Sequence, residues 1–441
     1  MLYKIGRDLY MKFTAAGDML IQRRIPSDYE GFTEVKQYIE KGDARFFNLE
    51  TTIGEGEFFA NQYCGGSYLM AVPAVLDDAK RFGFNMLSFA NNHSMDFSHE
   101  GLMSTKKAVD EAGFPNAGAG ANLDEAAAPA YLDTKNGRVA LISVVSTMMN
   151  GAAMAGRQSR RFKGRPGVNG LRIDEHVEVT PSQFEVLNEI IEQSNINAEY
   201  NIVRAEGYLP PVQEGSAVLK DRIFKVGDET KYVVHPNQVD TDRVLKAIYE
   251  AQMQADYILV SVHSHELSGN SKENPADFLC EFSHKCIDAG AHAVIGHGPH
   301  LIRPIEIYKK RPIFYSLGDF VIHNECIPCA PYEMYESQSL TDDATMRELF
   351  YSRSKGYTRG LMRDRRMLES FVPYFEMEDG ELKYLELMPI ELNFDKKGTW
   401  KMGDPRFSNK HGIIERLAEM SEKFGTNITV NEKGFGIVEI R

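Results

Sequence analysis

Residues able to bind metals or move protons gather in a few short motifs: Gly17-Asp18, Asn48-Leu49-Glu50, Asn91-Asn92-His93, His263-Ser264-His265-Glu266 and Gly296-His297-Gly298-Pro299-His300. Asp18, Glu50, Asn92, His263, His297 and His300 supply carboxylate and amide oxygens together with imidazole nitrogens. A dinuclear hydrolase site draws this mixture from several separate loops. Oxygen ligands neutralise the cations and one carboxylate can bridge them, while neutral imidazoles leave enough positive charge to turn a bound water into a hydroxide nucleophile near neutral pH. Each motif also has an ordinary reading. Gly17-Asp18 suits a turn with a capping aspartate, and Glu50 a solvated acid after a strand. His263 and His265 share one side of an extended segment, which also describes a pair of surface imidazoles. The turn that carries His297 and His300 is the most specific, because glycines flank its first imidazole and Pro299 restricts the backbone before it.

These motifs must be held by the elements that precede them, and the elements follow one grammar. Apolar runs at 12–16 and 45–47 end at Asp18 and at Glu50. A helical stretch, 72–82, leads through Gly83 into a strand at 85–90 that stops at Asn91-Asn92-His93. Helical 240–255 feeds strand 257–262 and then His263; helical 275–289 feeds strand 291–295 and then His297. Helices alternating with fully apolar strands imply βαβ units and a sheet covered on both faces. Polar residues just beyond the strand ends lie where α/β folds place their sites. Hairpin signals at 130–134 with 138–145, and at 302–308 with 312–317, make the sheet system mixed.

The chain has 441 residues and 43% hydrophobic content, which excludes a disordered or fibrous class. Its 63 acidic against 50 basic residues give a net charge of −13, a field that repels nucleic acid and anionic lipid. No run approaches the roughly 18 apolar residues that span a bilayer, and the first residues lack the pattern of a signal peptide; a cytoplasmic location is expected. Five cysteines outside any regular framework argue against a disulfide scaffold. Cys326 and Cys329 have zinc-knuckle spacing with no second pair, so a structural zinc there competes with a loop carrying two ordinary thiols. Two segments break the α/β grammar. Residues 151–172 carry Arg157, Arg160, Arg161, Lys163, Arg165 and Arg172 among glycines and read as a mobile basic loop. Residues 326–369 read as an irregular insertion, basic in its later half. Both invite an anion, or are solvated surface loops. Strand signals at 370–377 and 381–390 and a helix at 413–424 read as a C-terminal extension, 370–441, packed on the same body.

Taken in order, the motifs resemble those of a known family. Gly17-Asp18-Met19-Leu20-Ile21-Gln22-Arg23, Asn48-Leu49-Glu50, Ala90-Asn91-Asn92-His93 with Asp96, Val260-Ser261-Val262-His263, Gly296-His297-Gly298-Pro299-His300, Pro304-Ile305-Glu306 and Phe314-Tyr315-Ser316-Leu317-Gly318-Asp319-Phe320 are similar to the successive motifs of the CapA family. This is the bacterial capsule synthesis family associated with poly-γ-glutamate, itself similar to calcineurin-like metallophosphoesterases. The resemblance implies a four-layer α/β/β/α sandwich with mixed sheets over 11–325 and a two-metal site at its strand ends. Asp18 would hold one metal and Glu50 would bridge, with Asn92, His263, His297 and His300 completing the shells. His93 matches the residue that protonates the leaving group, Asp96 would orient it, and Arg23 would neutralise Glu50 or contact substrate, the alternative being a surface ion pair.

Three departures stand out. His263-Ser264-His265-Glu266 replaces His-Trp-Gly and a glutamate, adding the His265 imidazole. Asp319 stands where an asparagine is common, adding a negative charge unless an arginine pairs with it. The membrane anchor of many capsule-associated members is not seen. The expectation is therefore a metal-dependent hydrolase with two divalent ions, manganese ahead of zinc or iron, acting on a phosphoester or on a γ-glutamyl polymer or peptide. The other class is a non-catalytic, metal-containing poly-γ-glutamate binding or capsule-assembly protein. Asn91, like His265 and Asp319, is expected beside the site. Oligomeric state is not legible.

Overall fold

Side-chain alternation along the strands sorts the apolar residues into separate clusters and thereby decides which strand ends meet. The computed structural model describes residues 10–440 except 57, 149, 342, 362, 397, 398, 400 and 411. Among these residues the largest sheet has ten strands; Glu381–Glu391, Glu369–Glu378, Tyr10–Leu20, Ala44–Leu49, Met86–Ser88 and Asn116–Ala117 lie side by side through it. A second sheet of six runs Ile305–Tyr308, Arg311–Phe314, Ala293–His297, Tyr257–His263, Gly137–Val145, Ala130–Thr134. The strands that lead to the polar motifs pair in parallel, whereas the hairpins and the C-terminal strands pair antiparallel. The fold is α/β with mixed sheets.

Period-two alternation gives each sheet two faces. Phe13, Ala15, Phe46 and Met86 of the large sheet share one cluster with Leu141, Tyr257, Leu259, Ile295 and Phe314 of the six-stranded sheet. Phe47, Leu49 and Leu87, on the other face of the large sheet, pack with Val35, Phe82 and Leu102 from the helices Phe32–Ile39, Val75–Phe82 and Ser98–Glu111. Ile142, Ile258, Val260 and Val294, on the other face of the smaller sheet, pack with Ile248 and Phe282 from Gln238–Gln252 and Asp277–Asp288.

The C-terminal segment is part of this body. Glu369–Glu378 pairs antiparallel with the first half of Tyr10–Leu20, from Tyr10↔Glu378 to Thr14↔Tyr374, and Asp319–Ile322 pairs with its end. Three regions carry structure that the sequence reading does not describe. The basic segment 151–172, expected to be mobile, is tied by backbone pairing: Gly167–Val168 with Ala119–Gly120, and Gly156 with Arg165. Beyond it lies a four-stranded sheet in the order Ser216–Leu219, Arg222–Val226, Ile173–Val179, Lys231–Pro236, with the helices Pro181–Ser194 and Ala198–Ala205. Within 326–369, expected to be irregular, the helices Tyr332–Ser337 and Met346–Arg353 close on Ala330, Tyr335 and Leu349. The second of these starts on a capping box, Thr345 with Glu348. No helix among the described residues is long and apolar enough to cross a membrane, and Cys326 and Cys329 are free thiols.

Phe13 joins the two sheets, with its ring stacked on Phe375 at 4.9 Å and edge-on to Tyr257 at 5.5 Å. Phe13→Ala should cost about 3–5 kcal/mol of unfolding free energy, measured by denaturant titration. A loss below about 1 kcal/mol, near the cost of a surface change, would show that the sheets do not share this core.

Candidate functional site

The alternation that builds the inter-sheet core continues past its apolar end into polar residues. Beyond Phe46 the same-face positions are Asn48 and Glu50; beyond Met86, Ser88; beyond Leu259, Ser261 and His263; beyond Ile295, His297. Parallel register sets His263 opposite His297 and Asp18 beside both Asn48 and Asp319. The ladder of Tyr10–Leu20 is irregular between Ala15 and Asp18, and a Cβ on Gly17 would lie 1.8 Å from the Gly318 carbonyl oxygen. Only glycine allows that approach, which lets the Asp18 amide donate to Gly318 at 3.3 Å.

Asp18, Glu50, His263 and His297 form a fully buried group. Asp18 Oδ1 lies 3.1 Å from His297 Nδ1 and 3.6 Å from His263 Nδ1. It also accepts from the Asn48 amide at 2.7 Å, while Oδ2 accepts from the Gly298 N–H at 2.7 Å. The other nitrogen of His263 faces Glu50 Oε1 at 3.8 Å and His265 Nε2 at 3.0 Å. Two ligand sets result, Asp18–His263–His297 and Glu50–His263–His265, each with its atoms within 4.8 Å of one another. His297 is oriented by Ser261 Oγ, 2.7 Å from Nε2, and Ser261 continues through Ser88 to Asn48 and so back to Asp18.

Two observations test whether these residues suit metal ions. Both Glu50 oxygens and Asn92 Oδ1 are buried and receive no hydrogen bond, an arrangement expensive for protein alone and suited to a cation. Burial, and next the charges of Asp18, Asp319 and Asp96, push the Glu50 carboxyl well above its usual range. Burial also pushes Asp18 upward, but the adjoining His297 and His263 rings outweigh it and hold its carboxyl well below the usual range. Burial lowers His263 to about 4 and lowers His265 well below its ordinary value, so both imidazoles are neutral and available as ligands. The residues fit a divalent-cation site with mixed nitrogen and oxygen donors.

Around this group stands a second ring, buried except for the half-buried His300. His93 Nδ1 lies 2.7 Å from Asp96 Oδ2; Asp96 is itself fixed by the N–H groups of Gly65 and Leu69 at 3.0 and 2.9 Å. Asn91 donates to the Leu49 carbonyl at 2.8 Å and accepts from the His93 N–H at 3.1 Å, clipping the turn to the strand that ends at Glu50. Asp319 pairs with an imidazole, His300 Nδ1 at 3.0 Å, rather than with an arginine. Burial raises Asp319 to about 6 against the pull of His300. His300 itself is lowered by burial and raised by Asp319, with a net rise. The Arg23 guanidinium pairs with Asp404 of the C-terminal segment at 2.9 Å, where His323 also binds.

A cavity of about 380 Å³ opens onto His93 and His300, with Gly65, Lys272, Arg353 and Arg359 in its wall. The motif reading missed Gly65, where a Cβ would sit 2.8 Å from the His93 ring; the doublet Gly65-Gly66 was the available signal of close backbone approach. It also missed Asn48, Ser88 and Ser261, which only the alternation beyond the apolar run reveals.

Comparison with known proteins agrees on one family. The family model described as bacterial capsule synthesis protein PGA_cap matches residues 12–324. An uncharacterized protein of Sinorhizobium fredii is 33% identical over 435 residues, 95% of this chain and 91% of its own length. The capsule biosynthesis protein CapA of Bacillus anthracis is 24% identical over 319 residues, and a "probable polyglutamine synthesis accessory protein" of Mycobacterium tuberculosis is 28% identical over 281. These alignments cover 59% and 55% of the two relatives' own lengths.

Manganese at about a hundredfold above its Kd should raise the unfolding free energy by about 2.7 kcal/mol, read as an upward thermal shift. Asp18→Asn and Glu50→Gln should each reduce the shift and the bound metal. Absence of any shift with manganese, zinc and iron, together with no metal by elemental analysis, would dismiss the metal centre.

Proposed function

The chain belongs to the bacterial capsule synthesis family PGA_cap, and on that premise we propose that it is a metal-dependent hydrolase of poly-glutamate metabolism, cleaving an anionic glutamyl polymer or peptide. The observation that carries this reading is the Glu50 carboxylate, buried between neutral imidazoles and other acids with no donor on either oxygen. Asp18, Glu50, Asn92, His263, His297 and His300 would hold two divalent ions, manganese first and zinc or iron as alternatives, with His265 beside Glu50. Those ions would supply Lewis acidity and acidify water at neutral pH. The body would be a four-layer α/β/β/α sandwich of the metallophosphoesterase kind, a reading supported by the one cluster between the sheets and the two between sheet and helices.

The remaining chemistry belongs to the chain's own residues. Asp96 accepts the Nδ1 proton of His93, which fixes the ring and leaves Nε2 to carry a proton into the cavity. His93 then acts as general acid toward the leaving amine or alkoxide. Asn91 holds that turn against the strand bearing Glu50, and Asp319 aims His300 by the same carboxylate–imidazole pairing. The same groups would serve phosphoester cleavage. The family's association with poly-γ-glutamate, together with the polyglutamine synthesis named for the Mycobacterium tuberculosis relative, favours the polymer over the phosphoester.

The test is turnover of γ-glutamyl oligomers and of a generic aryl phosphate by the manganese-loaded protein. His93→Ala should lower kcat on the true substrate by about 10²–10⁴-fold while metal content stays at the wild-type level. If neither compound is hydrolysed and His93→Ala binds the polymer as tightly as wild type, a non-catalytic binding or assembly role replaces the enzyme reading.

A further inference from the structure

The cavity at His93 and His300 does not end there. It shares Lys272, Arg359, Gly360 and Leu361 with a second cavity of about 690 Å³ that continues over Arg363 and Arg366. The two form one trough leading away from the candidate metal centre. A pocket of about 300–1,000 Å³ already suffices for a small ligand, so the inner cavity alone can take a single small anion and the outer one is surplus to it.

The trough carries positive charge that the protein does not use. Arg365 and Arg366, on its wall, pair with Glu369, Glu391, Asp364 and Glu273. Lys272, Arg353 and Arg359 are exposed and have no acidic partner among the described residues, although acids outnumber bases 63 to 50 in the chain. They stand on two segments: Lys272 on the loop before Asp277–Asp288, and Arg353 and Arg359 at the end of Met346–Arg353 and in the turn after it. Residues 151–172, the other basic segment, line neither cavity.

We infer that the trough binds an extended linear polycarboxylate, with the unit to be cleaved at His93 and the charges of the following units on Lys272, Arg353 and Arg359. Single cations on separate segments match charges spread along a flexible chain. A dense phosphate group instead recruits arginine forks and backbone N–H groups converging on one point. This inference rests on the glutamyl-hydrolase reading and adds that the protein recognises chain length.

Equilibrium binding of short and long γ-glutamyl oligomers, and of inorganic polyphosphate, to the manganese-loaded chain tests it, with metal content and thermal midpoint followed in parallel. Wild type should bind long oligomers more tightly than short ones, with affinity falling as salt screens the contacts. The triple variant Lys272→Gln, Arg353→Gln, Arg359→Gln should lose about tenfold or more in affinity for long oligomers, and should lose the length dependence. Its metal content and midpoint should stay near wild type, and Arg160→Gln, on the other basic segment, should bind as wild type does. Equal binding of long oligomers by triple variant and wild type overturns the inference, as does a wild-type preference for polyphosphate. If length-dependent binding is lost in the triple variant but wild type cleaves nothing, the trough stands and the hydrolase reading alone falls.

Discussion

The structure turns on how four buried carboxylates at one end of the inter-sheet core are compensated. Asp18 receives the Asn48 amide and the Gly298 N–H, Asp96 the N–H groups of Gly65 and Leu69, and Asp319 the His300 ring. Glu50 receives nothing on either oxygen. Removing an ionised carboxylate from water costs several kcal/mol even after relaxation, and here three neighbouring acids raise that cost further. Three carboxylates are thus stabilised by the fold itself, while the fourth is placed where a cation could compensate it. Neutral imidazoles around it leave the demand unmet, as a cation site requires.

Keeping Glu50 and Asp18 in place demands more of the chain than the segment 12–324 that the family model covers. The strand bearing Asp18 is bordered on one side by Ala44–Leu49 and on the other by Asp319–Ile322 at its end and Glu369–Glu378 at its start. Without the last of these, half of that strand would be an unpaired sheet edge. The C-terminal segment also reaches the site's flank directly, since Asp404 holds both Arg23 and His323, and His323 accepts the Gln22 N–H. The extension therefore acts as a support for the motif beginning at Asp18.

How far this was legible in the sequence depends on whether a signal was local. The helix–glycine–strand–polar grammar was readable because each unit buries a continuous apolar run, and Tyr257–His263 is buried throughout. The substructure at 173–236 was not readable: Ile173–Val179 is half exposed and neither neighbouring helix buries a residue, so no clear period marks it. The ligand types at the strand ends could be named from sequence, but their partners could not. That Asp319 would meet His300, and Arg23 would meet Asp404 across 381 positions, are consequences of strand order. Basic composition at 151–172 and 326–369 looked equivalent, and only the fold separates a segment tied beside Ala119–Gly120 from one that lines the cavity at His93.

That separation also changes what the net charge means. A total of −13 describes the field far from the surface, where it is screened over about 10 Å at ordinary ionic strength. A ligand inside a cleft responds instead to the groups within a few ångströms. There the acids are compensated by amides, imidazoles and arginines, or, in the case of Glu50, could be by a cation, while Lys272, Arg353 and Arg359 have no acidic partner among the described residues. If the trough takes a polyanion as proposed, an acidic surface around it would also select against bulk: a folded acidic macromolecule or a nucleic acid would be repelled before it reached the cleft, whereas a thin flexible anion could enter end-on. On the proposed reading, overall charge and local charge would act together on one substrate class, the first excluding and the second holding.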